Sequence, residues 1–146
     1  MMKLFSTVLL TIVSGYAFAD IRNAELRDIE VQILTSTLPA CVSPRTYYDE
    51  IYCSVKVYGL LDDHLNTKYS TLRSTLQEVD QNQLKRVQLA WIHNRDDQCA
   101  KIEVDAVIMN LQCAKLKTLE SLFYIEQMIK YPNDFHLLLK EYQDRK

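Results

Sequence analysis

Two pairs of adjacent aspartates are the residues of this 146-residue chain whose types best suit catalysis. Asp62-Asp63 and Asp96-Asp97 could imitate the two carboxyl groups with which a glycoside hydrolase cleaves its substrate. Adjacent acids on a helix are more often caps, ion-pair partners or solvated residues. We therefore expect no catalytic residue and no enzyme activity.

The cysteines and histidines lack the spacings of a metal site or a thiol-based active site. Cys41, Cys53, Cys99 and Cys113 include no Cys-x-x-Cys pair, and the three histidines form no His-x-x-x-His pair. The chain also lacks Gly-x-Ser-x-Gly and any glycine-rich phosphate loop. We expect neither a metal nor a cofactor.

The first residues have the three parts of a secretory signal peptide. Residues 1–3 form a short n-region with the basic Lys3, residues 4–13 are mostly apolar, and Ala17 and Ala19 are small residues at the −3 and −1 positions of a cleavage site. The apolar part is shorter than the roughly 20 residues of a membrane-spanning helix. The sequence predicts a signal peptide over residues 1–19, a periplasmic or secreted protein, and four thiols oxidised to two disulfides.

Cleavage after Ala19 would remove Lys3 and leave 16 basic and 19 acidic residues, a net charge of −3. A nucleic-acid-binding protein normally has a basic excess, so we expect no nucleic-acid partner. The acidic balance favours a basic partner. No later stretch is apolar enough to span a bilayer, so we expect no membrane span after cleavage.

The glycine content and the apolar periodicity are typical of an all-α protein. After the predicted cleavage only Gly59 remains, whereas the hairpins of a many-stranded sheet usually need glycine. Apolar residues recur at spacings of three, four and seven between residues 51 and 79, which predicts one long helix. Ser43 and Pro44 suit its N-cap and first position.

A second helix should fold back antiparallel to the first about residue 80, with a cap in residues 80–82. A third helix should start between residues 107 and 113 and end near Lys130. We thus predict a small, disulfide-stapled, all-α bundle built on a long antiparallel helical hairpin plus a third helix. After the signal peptide, the predicted parts are an N-terminal helical segment, a helical domain and a C-terminal tail, at residues 20–38, 39–130 and 131–146.

The middle of the second helix combines aromatic, ionic and sulfur side chains on one face. Gln88, Trp91, Arg95 and Cys99 recur at spacings of three and four. Arg95 has a fork of donors suited to a carboxylate. The segment is either a binding site or, as we favour, a polar core layer that fixes the register of two helices. The polar residues that the predicted fold brings near Arg95 are Asp62, Asp63 and Asn66.

Tyrosines cluster near the start of the long helix, at Tyr47, Tyr48, Tyr52 and Tyr58. Tyrosine suits protein interfaces because its ring is apolar and its tip is polar. The alternative, which we favour, is that these rings pack inside an ordinary helix bundle.

Several of these residues in a fixed order resemble the LprI-like domain, a family of small exported bacterial proteins named for a lysozyme inhibitor. The resemblance covers roughly residues 41–125 and departs from the family at Ser121, where an arginine is expected, and in residues 100–112, which contain no glycine. Its elements are Glu50-Ile-Tyr-Cys53, Leu60-Leu-Asp62-Asp63-His-Leu65-Asn66-Thr-Lys-Tyr69, Gln88-x-x-Trp91-x-x-x-Arg95-Asp96-x-x-Cys99, and Cys113 with Thr118 five residues on.

The resemblance implies a non-enzymatic protein-binding module whose partner is a lysozyme or another cell-wall hydrolase. The alternative is a structural or assembly factor of the bacterial envelope that docks through residues 20–38 and the tail. A third hypothesis, an enzyme that acts on peptidoglycan, would depend on Asp62, Asp63 or Asp96.

Helix geometry bears on how the cysteines pair. Cys53 would lie about nine residues into its helix, roughly 13 Å along the axis. A bridge from Cys53 to Cys41 is then unfavourable, because the two Cα atoms must approach within about 7 Å. We favour Cys53–Cys113 with Cys41–Cys99, and the alternative is Cys53–Cys99 with Cys41–Cys113.

Overall fold

Five α-helices, two short 3-10 helices (Pro39–Cys41 and Pro132–Asp134) and one short β-hairpin make up the computed structural model, which describes residues 16–145 and their side chains from residue 23 onward. Most of the predicted signal peptide lies outside these residues. The predicted all-α fold class is confirmed. The elements are α1 (Tyr16–Thr37), α2 (Tyr47–Thr75), α3 (Glu78–Cys99), β1 (Ala100–Glu103), β2 (Ala106–Met109), α4 (Leu111–Lys130) and α5 (Phe135–Gln143).

Helix α4 lies at the centre of the bundle and packs against α1, α2, α3 and α5. Its buried side chains point in several directions, as expected for a helix surrounded by others. The two arms of the predicted hairpin, α2 and α3, therefore share a core with α4. The buried residues of α4 are Ala114, Thr118, Leu119, Ser121, Leu122, Tyr124, Ile125 and Met128.

The N-cap of α2 is Thr46, so the prediction of Ser43 and Pro44 was wrong. The Asp49 backbone N–H donates to Thr46 Oγ1 at 3.1 Å, and the Thr46 N–H donates to Asp49 Oδ2 at 3.0 Å. This reciprocal pair satisfies two otherwise free donors, which Ser43 followed by Pro44 does not achieve. Helix α2 accordingly begins at Tyr47.

The turn between α2 and α3 also falls earlier than predicted. Helix α2 ends at Thr75 and α3 begins at Glu78, so residues 80–82 lie inside α3 and do not cap it. The Gln81 side-chain amide donates to the Leu76 carbonyl at 2.9 Å and satisfies an acceptor at the end of α2. An acidic first turn still suits the helix dipole of α3.

Consecutive cysteines pair, Cys41 with Cys53 and Cys99 with Cys113, and both predicted connectivities were wrong. The Cα–Cα distances are 5.4 and 5.5 Å. The later start of α2 puts Cys53 in its second turn, and the chain from Cys41 runs back alongside that turn. Each bridge closes a short loop and stabilises the fold by about 3 kcal/mol.

Residues 100–109 form an antiparallel β-hairpin where the third helix was expected to begin. The turn lies between Glu103 and Ala106 and uses no glycine, and no described residue has a positive φ. β-branched residues are dense here, and they favour extended backbone. Asn110 then caps α4 by accepting from the Cys113 N–H at 3.0 Å.

Both segments outside the predicted domain add side chains to the core. Helix α1 buries Leu26 and Leu34 against the bundle. The C-terminal segment forms the short helix α5, which buries Phe135 and Tyr142. These segments therefore stabilise the bundle and are not loosely attached extensions.

A buried carboxylate joins α1 to α4. The Glu30 side chain is only 8% exposed, accepts from Lys115 Nζ at 2.8 Å, and accepts from Arg27 Nη1 at 3.1 Å. The Lys115 side chain is itself mostly buried, so water screens this pair less than a surface pair.

We expect Glu30→Gln to lower the free energy of unfolding by about 2 kcal/mol, because it removes charge-assisted hydrogen bonds and leaves the Lys115 ammonium poorly paired. Denaturant unfolding measures the change. Glu25→Gln, on the exposed part of the same helix, should change stability little. Equal effects of the two substitutions would contradict a structural role for Glu30.

Candidate functional site

Arg95 joins α3 to α2 at the place where the sequence concentrates aromatic and ionic residues. Arg95 Nη1 donates to Asp62 Oδ1 of α2 at 3.1 Å, and Arg95 Nε donates to Asp96 Oδ1 at 3.0 Å. The two carboxylates thus bind different nitrogens of one guanidinium. We call Asp62, Arg95 and Asp96, with the rings of Tyr58 and Trp91, the arginine cluster.

Two aromatic rings cover the guanidinium of Arg95. Its Cζ lies 5.1 Å from the ring centre of Trp91 and 5.9 Å from that of Tyr58, within the range of cation–π attraction. Trp91 and Arg95 are both buried. The rings therefore shield the cation from water, and the carboxylates provide its hydrogen bonds.

Burial and charge act in opposition on the ionisable groups of the arginine cluster. Burial disfavours the charged guanidinium, but the hydrogen bond to Asp96 and the neighbouring negative charges outweigh burial and raise the pKa of Arg95. Burial is the main cause that raises the pKa of the Tyr58 hydroxyl, although the Arg95 charge acts in the opposite direction. Arg95 is therefore a permanent cation.

The geometry of the arginine cluster is that of a clamp between helices. Hydrolysis of a glycoside requires two carboxyl groups with substrate between them. Here the Arg95 guanidinium occupies the space between Asp62 and Asp96. Both carboxylate side chains are partly exposed at the outer edge, so the clamp also has a polar rim at the surface.

The other residues of the predicted family core fall into two environments. Leu65 and Thr118 are buried, and the Thr118 hydroxyl makes no hydrogen bond within the described part of the chain. Asp63 and Asn66 are exposed on α2, where the Asn66 amide donates weakly to Asp62 at 3.5 Å. Tyr69 is half-buried at the edge of the core.

Gln88 was predicted to share a helix face with Trp91 and Arg95, but its side chain binds the C-terminal helix α5 instead. The sequence did not predict this contact. The Tyr142 hydroxyl donates to Gln88 Oε1 at 2.9 Å, so the Ser121 hydroxyl, 2.5 Å away, must donate to the Tyr142 oxygen. Burial raises the pKa of Tyr142 far above its ordinary value. The spacing of Phe135, Leu139 and Tyr142 could have revealed this buried face.

Ser121 stands where the resemblance leads us to expect an arginine. It is completely buried against Tyr142 of α5. A short side chain at this position leaves room for the Tyr142 ring, whereas a long cationic one would meet it. The serine at position 121, in place of the arginine expected from the family, therefore fits the packing of α5 at this site.

Three of the four clustered tyrosines lie outside the core, so the favoured prediction of bundle packing was wrong for them. Tyr47, Tyr48 and Tyr52 are 71, 82 and 54% exposed, whereas Tyr58 packs on Arg95. The side chains of Ile51 and Val55 are exposed on the same turns. We call Tyr47, Tyr48, Ile51, Tyr52 and Val55 the α2 aromatic face.

No group of three or more histidine, cysteine, aspartate or glutamate side chains within residues 23–145 is arranged to hold a metal ion. All four cysteines are in disulfides.

We expect Arg95→Gln to lower the free energy of unfolding by about 2 kcal/mol, because Asp62 and Asp96 lose their shared cation. Arg95→Lys should recover part of the loss, since it keeps the charge without the fork of donors. Denaturant unfolding measures both, and Arg73→Gln at an exposed site of α2 is the control. If Arg73→Gln lowered the free energy of unfolding as much as Arg95→Gln, the result would contradict the role of Arg95 as a clamp between helices.

We expect stability to fall above pH 10 partly because Tyr142 ionises only after unfolding. Its pKa is raised in the folded state, so its contribution is complete below the unfolded value of about 10 and declines by about 1.4 kcal/mol per pH unit above it. Unfolding of wild type and Tyr142→Phe between pH 9 and 11 should therefore show a shallower decline in the variant. Tyr131→Phe, at an exposed site, should keep the wild-type slope.

Residues 41–128 match the family model described as lysozyme inhibitor LprI. The match contains both disulfides, α2, α3, the β-hairpin, the arginine cluster and all but the last two residues of α4, and it omits α1 and α5. Neither a curated protein nor a solved structure matches the chain. Because the family model covers more than half of its 146 residues, the chain belongs to the LprI family.

Proposed function

We propose that this protein is an exported, non-enzymatic protein-binding module that inhibits a lysozyme or another cell-wall hydrolase. The match of residues 41–128 to a family described by a lysozyme inhibitor carries the proposal. The matched region is also the one in which the sequence alone shows the family resemblance. We further propose the division into signal peptide, N-terminal segment, helical domain and tail given above.

The α2 aromatic face supports a protein partner. It presents three tyrosines and two aliphatic side chains to solvent on consecutive turns of one helix. Exposed apolar patches of this kind mark binding surfaces, and tyrosine contributes disproportionately to protein interfaces. The Cys41–Cys53 disulfide lies on the opposite, buried face of the same turns and holds them in place.

The charge balance supports a basic partner. With residues 1–19 removed the chain has a formal net charge of −3. Opposite net charges accelerate the encounter of two proteins and disfavour wrong partners. A basic hydrolase would meet both conditions.

The arginine cluster supports binding rather than catalysis. Its carboxylates are held on Arg95, and the clamp keeps α2 and α3 in register behind the exposed surface. We accordingly do not favour a peptidoglycan-cleaving enzyme that uses Asp62, Asp63 or Asp96.

The alternative function, an envelope assembly factor, relied on free docking surfaces at the two ends of the chain. Helices α1 and α5 instead bury apolar side chains in the shared core. We therefore prefer the inhibitor.

A periplasmic or secreted location fits the two disulfides, because such bonds persist in oxidising compartments. None of the described helices combines the length and apolarity needed to cross a membrane. The export signal remains the reason for proposing that the protein leaves the cytoplasm.

We expect the oxidised protein without residues 1–19 to slow the lysis of cell-wall suspensions by at least one member of a panel of basic lysozymes, in proportion to its molar ratio to the enzyme. The protein alone should cleave no cell wall. The same chain, reduced and alkylated, is the control, because it has lost both disulfides. A panel left fully active at micromolar inhibitor would contradict the proposed function.

A further inference from the structure

The β-hairpin of residues 100–109, here called the finger, is exposed along almost its whole length. Ile102 is 89% and Val107 is 69% exposed, and Val104 in the turn is fully exposed. Only Ala100 and Met109, at the base, are partly buried. The apolar side chains of the finger therefore contribute little to the core.

The apolar side chains lie mainly on one face of the finger. Ile102 pairs with Val107, and Ala100 pairs with Met109 two residues further along. Residues opposite each other in a ladder, and residues two apart in a strand, share a face. The other face combines Lys101 and Glu103 with Ala106 and Ile108. A two-stranded hairpin is only marginally stable by itself. The exposed apolar face of the finger neither packs in the core nor makes the hairpin stable alone, so folding does not account for its apolar residues.

The base of the finger is fixed to the bundle at both strands. The Cys99–Cys113 disulfide joins the residue before β1 to the first turn of α4. The Asn110 N–H donates to the Cys99 carbonyl at 2.7 Å, and the Asn110 side chain caps α4. A segment held in one conformation loses less entropy on binding.

The finger carries a local excess of negative charge. Within residues 100–109 the sequence contains two acids, Glu103 and Asp105, and one base, Lys101, which gives −1. These three residues are exposed. This charge would make two fingers repel each other, and it suits a partner with cationic groups around an apolar recess.

The α2 aromatic face lies at the same end of the bundle. On the opposite side of the same turns, a groove is lined by Glu50 and Cys53 of α2 together with Leu111 and Gln112 of α4, directly after the finger, so the first turns of α2 and α4 lie side by side. Nine of the fifteen large apolar side chains that are exposed in the described part of the chain belong to the finger or to this face. The exposed apolar surface is therefore concentrated at the end that holds both disulfides.

We propose that the finger enters a cleft of the target protein, with its Ile102–Val107 face against an apolar wall and its carboxylates near cationic groups at the rim. The α2 aromatic face then contacts the surface beside the cleft. This proposal rests on the proposed function and adds to it the element that blocks the target.

The test compares two double variants with matched exposure. Ile102→Ser with Val107→Ser alters the finger, and Val79→Ser with Leu137→Ser alters side chains that are 70 and 61% exposed in α3 and α5. With a lysozyme that the wild type inhibits, we expect the finger variant to raise the inhibition constant about tenfold or more and the control to leave it unchanged. Thermal unfolding should show that both variants remain folded.

A second variant tests the charges. Glu103→Lys with Asp105→Lys should slow association with the basic target and reduce its dependence on salt concentration. Its side chains are exposed, so the fold should tolerate the change.

Each remaining outcome overturns the proposal in a distinguishable way. If the finger variants inhibit the lysozyme as strongly as the wild type does, the finger is not the element that blocks the target, and the proposed function still stands. If the wild type inhibits no hydrolase, both the proposed function and the role of the finger are wrong. A wild-type dimer in sedimentation that the Ile102→Ser, Val107→Ser variant dissociates would assign the finger to contact between two copies.

Discussion

Burial of α4 on nearly every side is the constraint on which the rest of the structure depends. Because α4 packs against α1, α2, α3 and α5, each of those helices must turn an apolar face toward the same helix. The polar contacts then set how each neighbour is placed. Lys115 of α4 binds Glu30 of α1, and Ser121 of α4 binds Tyr142 of α5. The arginine cluster fixes the remaining pair, α2 and α3.

The helical fold and the proximity of Arg95 to Asp62 could be predicted from the sequence because both follow from spacing along helices. The start of α2 was placed too early, since Ser43 and Thr46 are both good cap residues but only Thr46 has an acid three residues on, Asp49, to complete a capping box. The predicted helix start was three residues too early, which placed Cys53 too far along α2. The prediction therefore excluded the Cys41–Cys53 bridge that forms. The finger was missed because its turn needs no glycine, and Glu30 because its partner Lys115 is distant in sequence.

The division between interior and surface also separates two uses of aromatic residues in this chain. Tyr58 and Trp91 cover a buried cation, and Tyr142 completes a buried hydrogen-bond network. Tyr47 and Tyr48 serve neither purpose and face solvent. Composition alone does not distinguish these groups, because the burial of a tyrosine depends on the face of the helix on which it lies.

The pairing of consecutive cysteines has a consequence for how the chain matures. Each bridge joins thiols only 12 or 14 residues apart, so the native partner of each cysteine is also the nearest cysteine along the chain. Oxidation that joins the nearest thiols along the chain therefore gives the native pairing without later reshuffling. Neither bridge crosses from one half of the domain to the other, so each loop can close before the other has formed.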